Sequence, residues 1–333
     1  MNHVLRKLSF LLLTGATVAQ QQATTLWHLA EHASAVVVAA ATSATDPNPE
    51  WHRIEFRTDE VLKGAVGPNF RLLEPAGRCC GHALFSVIPG QSYLLFLDRR
   101  GQTLHPLAGD RGVLAADPIL VAHVRRLMTA SSDVEATGRE LAAALQMVDS
   151  RMAQDAALAL SCLPTLPADG NAREGIRSAL RREASAPTTA LPALAAAVVR
   201  MDPAAAASNL LPLYLTTTQD DAARTLQFAL DGIETRDLAN AMQSQIFRDD
   251  AERVRAADLL AQRPDPSNLV LLNRMLAAAD KPRVSLAVAE ALLAHGETAT
   301  SLQSRVAEVV LQLAMHRRAE RMPLRVVQTG ASR

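Results

Sequence analysis

Aromatic residues are scarce in this chain, only 3% of 333 positions, which leaves few stacking platforms for bases or sugars. Charge of one sign is not in excess either, since 34 basic side chains face 34 acidic ones. The electrostatic footprint of a nucleic-acid binder is therefore missing, and an anionic membrane surface finds nothing to hold. No Gly-x-Ser-x-Gly elbow occurs, and the fifteen glycines are scattered at turns rather than gathered into a phosphate-cradling loop. Beyond the first twenty residues no apolar run reaches the length of a membrane span. These absences exclude nucleic-acid partners and stable membrane insertion of the mature chain, and nothing in the sequence calls for a cofactor.

Cysteine is almost as rare, with only Cys79, Cys80 and Cys162. Neighbouring Cα atoms about 3.8 Å apart sit too close for a relaxed disulfide, so Cys79 and Cys80 do not pair with each other. Either one of them pairs with Cys162 or all three are free thiols. The expectation is no structural disulfide.

What is present begins with a compartment signal. Arg6 and Lys7 precede the apolar run Leu8 to Ala19, and Thr17 and Ala19 are small residues at a cleavage site that leaves Gln20 as the first mature residue. This is the pattern of a secretory signal peptide over 1–19, too short for a typical membrane span. It predicts a secreted or periplasmic protein, where disulfides can persist.

Residues 20–130 read as a small β-rich domain. A short helical segment over Leu26 to His32 leads into Ser34 to Ser43, a run of β-branched and small residues that suits a buried strand. Dense turn chemistry follows at Asp46 to Pro49. Trp51 to Leu62 alternates apolar and polar residues around Ile54 and Phe56, and Asn69 to Pro75, Ser92 to Arg99 and Thr103 to Leu107 complete five short strands. Short strands joined by tight turns predict a small antiparallel barrel or sandwich.

Three stretches of this domain, AEHASAVVVAA, then EVLKG (Glu60 to Gly64), then Cys80 to Leu97, resemble bacterial secreted domains related to the netrin-like, tissue-inhibitor-of-metalloproteinase OB fold. The resemblance covers roughly residues 26–110 and implies that fold. It also implies, as an alternative function, a protease-inhibitor-like binding module. Inhibitors of the family place a free N-terminal cysteine on the protease zinc, whereas this mature chain begins near Gln20. Leu107 to Leu114 offers no later cysteine to pair with Cys80.

Residues 131–322 change to alanine- and leucine-rich blocks separated by Pro, Asp and Gly, and 323–333 reads as a tail without an apolar pattern. In Asp250 to Pro266, Val254, Ala257, Leu260 and Ala261 recur at helical spacing, and a partner helix begins near Ser267 with Leu269, Leu272 and Leu276 on one face. Thirty residues on, Asp280, Arg283, Val284 and Ala287 repeat Asp250, Arg253, Val254 and Ala257. A self-similar period of helix pairs predicts a solenoid, and the Asp-x-x-Arg-Val pattern resembles short HEAT repeats. The fold class expected is thus α+β in two domains, an OB/netrin-like barrel followed by an α-solenoid. Charge runs at Arg181 to Glu183 and Arg317 to Arg321 read as solvated helix faces.

Two clusters carry donor atoms. In His28-Leu-Ala-Glu31-His32 two imidazoles at i and i+4 bracket a glutamate, the inverted zinc-protease spacing that places both rings on one helix face. Catalytic zinc needs a third protein ligand, for which Glu74, Glu135 and Glu140 are available. None of the three sits in a helix that would complete such a site, so the expected role is a helical turn into the first strand, with Trp27 and Leu29 gripping the barrel. Cys79-Cys80-Gly81-His82 offers three soft donors in four residues, but no second half-site accompanies it, and a turn filled by cysteine side chains is expected instead. The sequence therefore points to an exported, non-enzymatic interaction or scaffold protein with a protein partner. Zinc-dependent hydrolysis through His28, Glu31 and His32 is the remote alternative.

Overall fold

The computed structural model describes residues 25–48, 51–75, 87–147, 149–263 and 265–321. The expected signal segment, the tail 323–333, and Cys79, Cys80 and His82 lie outside the described residues. Compact packing divides the chain into two units. The first runs to Glu183 and takes in Thr188–Ala197; the second comprises Ala184–Pro187 and continues from Val198. This division falls later than the change of composition near residue 131.

In the first unit, helix α1 (Leu26–His32) precedes a sheet of six antiparallel strands: β1 Ala35–Asn48, β2 Trp51–Lys63, β3 Asn69–Pro75, β4 Ser92–Arg100, β5 Thr103–Pro106 and β6 Val113–Ala115. The strand order is β3-β2-β1-β4-β5, with β6 also paired to β4. The sheet curls into a half-barrel. Register shifts in the β1–β2 ladder, at Val36/Val37, Val38/Ala39, Ala41/Ser43 and Thr45/Asn48, sharpen the local twist that curls it.

Alternate residues Ala35, Val37, Ala39 and Ala41 of β1 face Ile54, Phe56, Leu72, Tyr93, Leu95 and Leu97 in one apolar cluster. Their neighbours Val36, Leu94 and Phe96 are also fully buried, so β1 and β4 are covered on both faces. That is why these strands read as continuous apolar runs rather than alternating ones. Phe56 stacks on Phe70 at 5.3 Å and meets the edge of Tyr93 at 6.4 Å between ring centroids.

Two details differ from the sequence reading. Strand β1 continues through Asp46–Asn48, assigned above to a turn, because Asn48 pairs directly with Trp51 and the connection is tight. Strand β6 was not anticipated: only three residues long, it has no alternation to detect, and it becomes a strand by pairing Val113–Ala115 with Leu95–Tyr93 of β4. A 3-10 turn at Gly109–Gly112 delivers it, entered through Ala108 in the left-handed region at φ 59°.

Thirteen further helices follow among the described residues. They are α2 Pro118–Ala130, α3 Val134–Ala144, α4 Ser150–Cys162, α5 Gly170–Ser185, α6 Leu191–Met201, α7 Pro203–Thr216, α8 Asp220–Asp231, α9 Thr235–Gln243, α10 Asp250–Gln262, α11 Leu269–Ala277, α12 Pro282–Ala294, α13 Ala299–Leu302 and α14 Glu308–Arg321. None is long and apolar enough to cross a membrane. Aspartates start many of them: the side chains of Asp117, Asp133, Asp149, Asp202 and Asp249 each accept from first-turn N–H groups, satisfying donors that no helix satisfies for itself.

Long basic side chains end others. Arg182 donates to the Leu145 carbonyl at 2.6 Å beyond α3, and Arg263 donates to Leu230 at 2.8 Å and to Ile233 after α8. Arg255 reaches the carbonyls of Tyr214, Leu215 and Thr217 at the end of α7. A cation on these exposed carbonyls also complements the negative end of the helix dipole. The run Arg181 to Glu183 lies on an exposed helix face, where Arg181 pairs with Glu174 at 2.5 Å and Glu183 accepts from Thr188.

In the second unit α10, α12 and α14 pack side by side in succession. The thirty-residue echo is visible there. Ala257 and Ala287 are both buried, and Asp250 binds Lys281 at 2.6 Å, joining the start of one helix to the start of the next. The buried residues of α10 are Glu252, Ala256, Ala257, Leu259 and Leu260. Val254 and Ala261, expected inside, are partly exposed.

Candidate functional site

Helix α1 is short, and it is held from both ends. The Asp155 carboxylate on α4 accepts the Leu26 N–H through both oxygens at 3.1 and 3.0 Å, while Thr25 accepts from His28. At the other end Lys63 Nζ donates to the carbonyls of Ala30 at 2.9 Å and Glu31 at 2.7 Å. An anion at the N-terminus and a cation at the C-terminus is the arrangement the helix dipole favours. Leu26, Leu29 and Ala30 are the buried residues, and α1 packs against α2 and α4.

On the outer side His28 and His32 stack, with ring centroids 3.9 Å apart and planes 20° from parallel. The Glu31 carboxylate lies 3.8 Å from His32 Nδ1. Burial lowers the His28 imidazole below its ordinary range and the neighbouring His32 adds to this, against the pull of Glu31. The helix therefore gathers His28, Glu31 and His32 as the spacing requires. Among the described residues a third donor does not join them. Glu135 is spent accepting the N–H groups of Ala168 and Asp169 at 3.0 to 3.3 Å, and Glu140 pairs with Arg126 at 3.0 Å. The Glu74 side chain lies outside the described residues. Among the described residues, no group of three His, Cys, Asp or Glu side chains is placed to hold a metal ion. Cys162, on α4, is a free thiol whose Sγ lies 3.7 Å from Ser161 Oγ.

Two titratable groups in the first unit, one buried and one half-buried, lack full compensation. His123 on α2 is wholly buried and neither ring nitrogen has a hydrogen-bond partner among the described residues. Burial, with Arg126 adding and Glu140 opposing, pushes its imidazole down to about 4. Asp155 has the opposite fate, raised to about 7 by burial despite its bond from Leu26.

The second unit carries a groove of about 530 Å³ across α10, α12 and α14. Val254 and Asp258 line it from α10, and Pro282, Arg283, Leu286, Ala287 and Glu290 from α12. Helix α14 contributes Val309, Val310, Leu313 and Arg317, a stripe at i, i+4 and i+8 along one side of the helix. Val309 is 81% exposed and Leu313 40%, unusual for apolar side chains lining a concave wall. Glu290 is only 4% exposed and bonds Arg317 at 3.4 Å, closing one end of the groove with an ion pair. Arg317, read from sequence as part of a solvated face, therefore has a buried partner. The apolar i, i+4 spacing of Val309 and Leu313 was the available signal for this groove. It sits in a segment whose alanine content is low and was not singled out.

No family model, curated protein or solved structure matches the chain.

Proposed function

We propose that this is an exported, non-enzymatic binding protein that holds a segment of a protein partner in the α10–α12–α14 groove. The observation that carries the reading is the stripe of exposed valine and leucine on α14 lining a concave wall. Monomeric surfaces scatter apolar residues singly, and contiguous apolar concavities mark interaction sites. In this reading the helices from residue 131 on form a HEAT-like solenoid, and stacked helix pairs present extended concave surfaces to partners. The curled sheet is an OB/netrin-like domain, and residues 1–19 are removed on export. The stacked pair His28 and His32 is then a surface feature of a clamped helix, for among the described residues no third donor of the kind a catalytic zinc needs accompanies it.

The test is crosslinking of the mature chain in envelope and secreted fractions, with the double variant Val309→Asp, Leu313→Asp alongside. A partner recovered with the wild type and lost with the variant is expected. The same partner recovered equally with both overturns the reading.

A further inference from the structure

The charges around the groove are not equivalent. Glu290 is engaged by Arg317 at 3.4 Å, and Lys281, just outside, is held by Asp250 at 2.6 Å. Asp258 likewise has a partner. Arg283 is different: it lines the groove, it is exposed, and its guanidinium makes no ion pair or hydrogen bond among the described residues. It stands in the first turn of α12, directly after Pro282 and a Lys281 cap that offers no side-chain acceptor. The positive end of the helix dipole thus adds to its charge. Across from it α14 exposes Val309.

We infer that the partner segment is an apolar peptide carrying a carboxylate, whose aliphatic side chains cover Val309 and Leu313 while the carboxylate pairs with Arg283. This rests on the groove being the binding surface. Charge complementarity selects the acidic partner. A basic peptide would place its cation against Arg283 with the groove's own carboxylates already occupied, and like charges facing each other cost affinity. A purely apolar peptide would cover Val309 and strip water from part of an unpaired guanidinium without replacing the lost hydrogen bonds. An acidic side chain or chain terminus gives the guanidinium two acceptor oxygens in the planar geometry it prefers.

A random twelve-residue displayed peptide library selected on the immobilised mature chain tests this, with synthetic versions of the selected peptides titrated by fluorescence anisotropy. The expected result is enrichment of peptides with an Asp or Glu next to aliphatic residues. Their affinity should fall about tenfold in Arg283→Glu and should be lost in the Val309→Asp, Leu313→Asp variant, with all proteins showing wild-type circular dichroism. Selection of aliphatic peptides without acidic preference, lost only in the valine–leucine variant, overturns the acidic partner and leaves the groove standing. Selected peptides that bind both variants unchanged, or no enrichment at all, overturn the groove as well. A concentration-dependent dimer in sedimentation velocity that disperses in the valine–leucine variant assigns the surface to a second copy of the chain, and likewise overturns the inference.

Discussion

The curled sheet and the α10–α12–α14 stack solve the same problem of burying apolar surface with different means. The sheet does it with large side chains drawn from distant strands: Phe56, Leu72, Tyr93, Leu95 and Leu97 meet in one cluster, and its middle strands are covered on both faces. The stack does it with residues from neighbouring helices, small and large together: Ala256, Ala257, Ala287, Ala289 and Ala291 are buried beside Leu259, Leu260, Val284, Leu292 and Leu293, and arginine side chains tie helix ends to one another. The sheet leaves single apolar side chains exposed, Val61 at 41% and Leu73 at 38%. The stack instead leaves Val309 and Leu313 of α14 exposed along one groove wall, and that is where binding is proposed.

Both tryptophans, Trp27 and Trp51, belong to the first unit, so indole fluorescence reports that unit while far-ultraviolet circular dichroism reports helix throughout. Each expected effect can be assigned to its region by this means. The largest belongs to the sheet. Phe56→Ala removes a fully buried ring and should cost about 3–5 kcal/mol, seen as an early fluorescence transition in urea. A loss as small as that of a surface change would mean the aromatic cluster does not hold the sheet together.

Next comes pH. His123 has an ordinary imidazole value of 6.5 lowered to about 4 in the fold. Its contribution to stability is complete above pH 6.5 and is lost as pH falls toward 4, by up to about 3 kcal/mol. Asp155, raised from 3.8 to about 7, works in the other direction: its contribution is complete below pH 3.8 and is lost as pH rises toward 7. The two act over nearly the same interval, 4 to 6.5 and 3.8 to 7, and offset each other within one unit. His123→Leu should therefore unmask the Asp155 slope, with stability falling as pH rises, and Asp155→Asn the His123 slope, with stability falling as pH drops, both by fluorescence. Unchanged profiles would show that neither group titrates on unfolding.

Arg255→Ala should cost about 2 kcal/mol by freeing the carbonyls that end α7, visible in circular dichroism with the fluorescence transition unmoved. Arg255→Lys should recover part of the loss, since the charge remains but the fork does not. The smallest effect is Val309→Asp, which should change stability by no more than about 0.5 kcal/mol because the side chain is 81% exposed. A large loss there would place Val309 in the core and end its candidacy as a docking residue.

Much of the first region was legible because strands and turns announce themselves locally. Helix α1 over Leu26–His32 and strand β3 over Asn69–Pro75 lie where the residues put them, and β2 and β4 differ by a residue at one end. Strand β6 was not legible, because three residues acquire strand geometry only from the β4 edge they meet. In the stack the thirty-residue echo located the helices, but Val254 is partly exposed on the groove wall while its counterpart Val284 is buried. Periodicity in an alanine-rich segment has a weak apolar direction, so the face that turns inward is decided by neighbours. The i, i+4 histidines of α1 were visible from spacing alone, whereas the partners that engage Glu135 and Glu140 elsewhere became visible only in the structure. Arg283 was visible as a repeat of Arg253. Its freedom was not, because that follows from which charges Asp250 and Glu290 engage instead.

The clamp on α1 also fixes an order of events. Its first turn is completed by Asp155, a carboxylate 129 residues further along the chain, and seven residues are too few to stay helical unaided. A ribosome making this protein therefore releases the leading segment long before the group that caps it exists. The α1 segment therefore gains the carboxylate that caps its first turn only after residue 155 has been made.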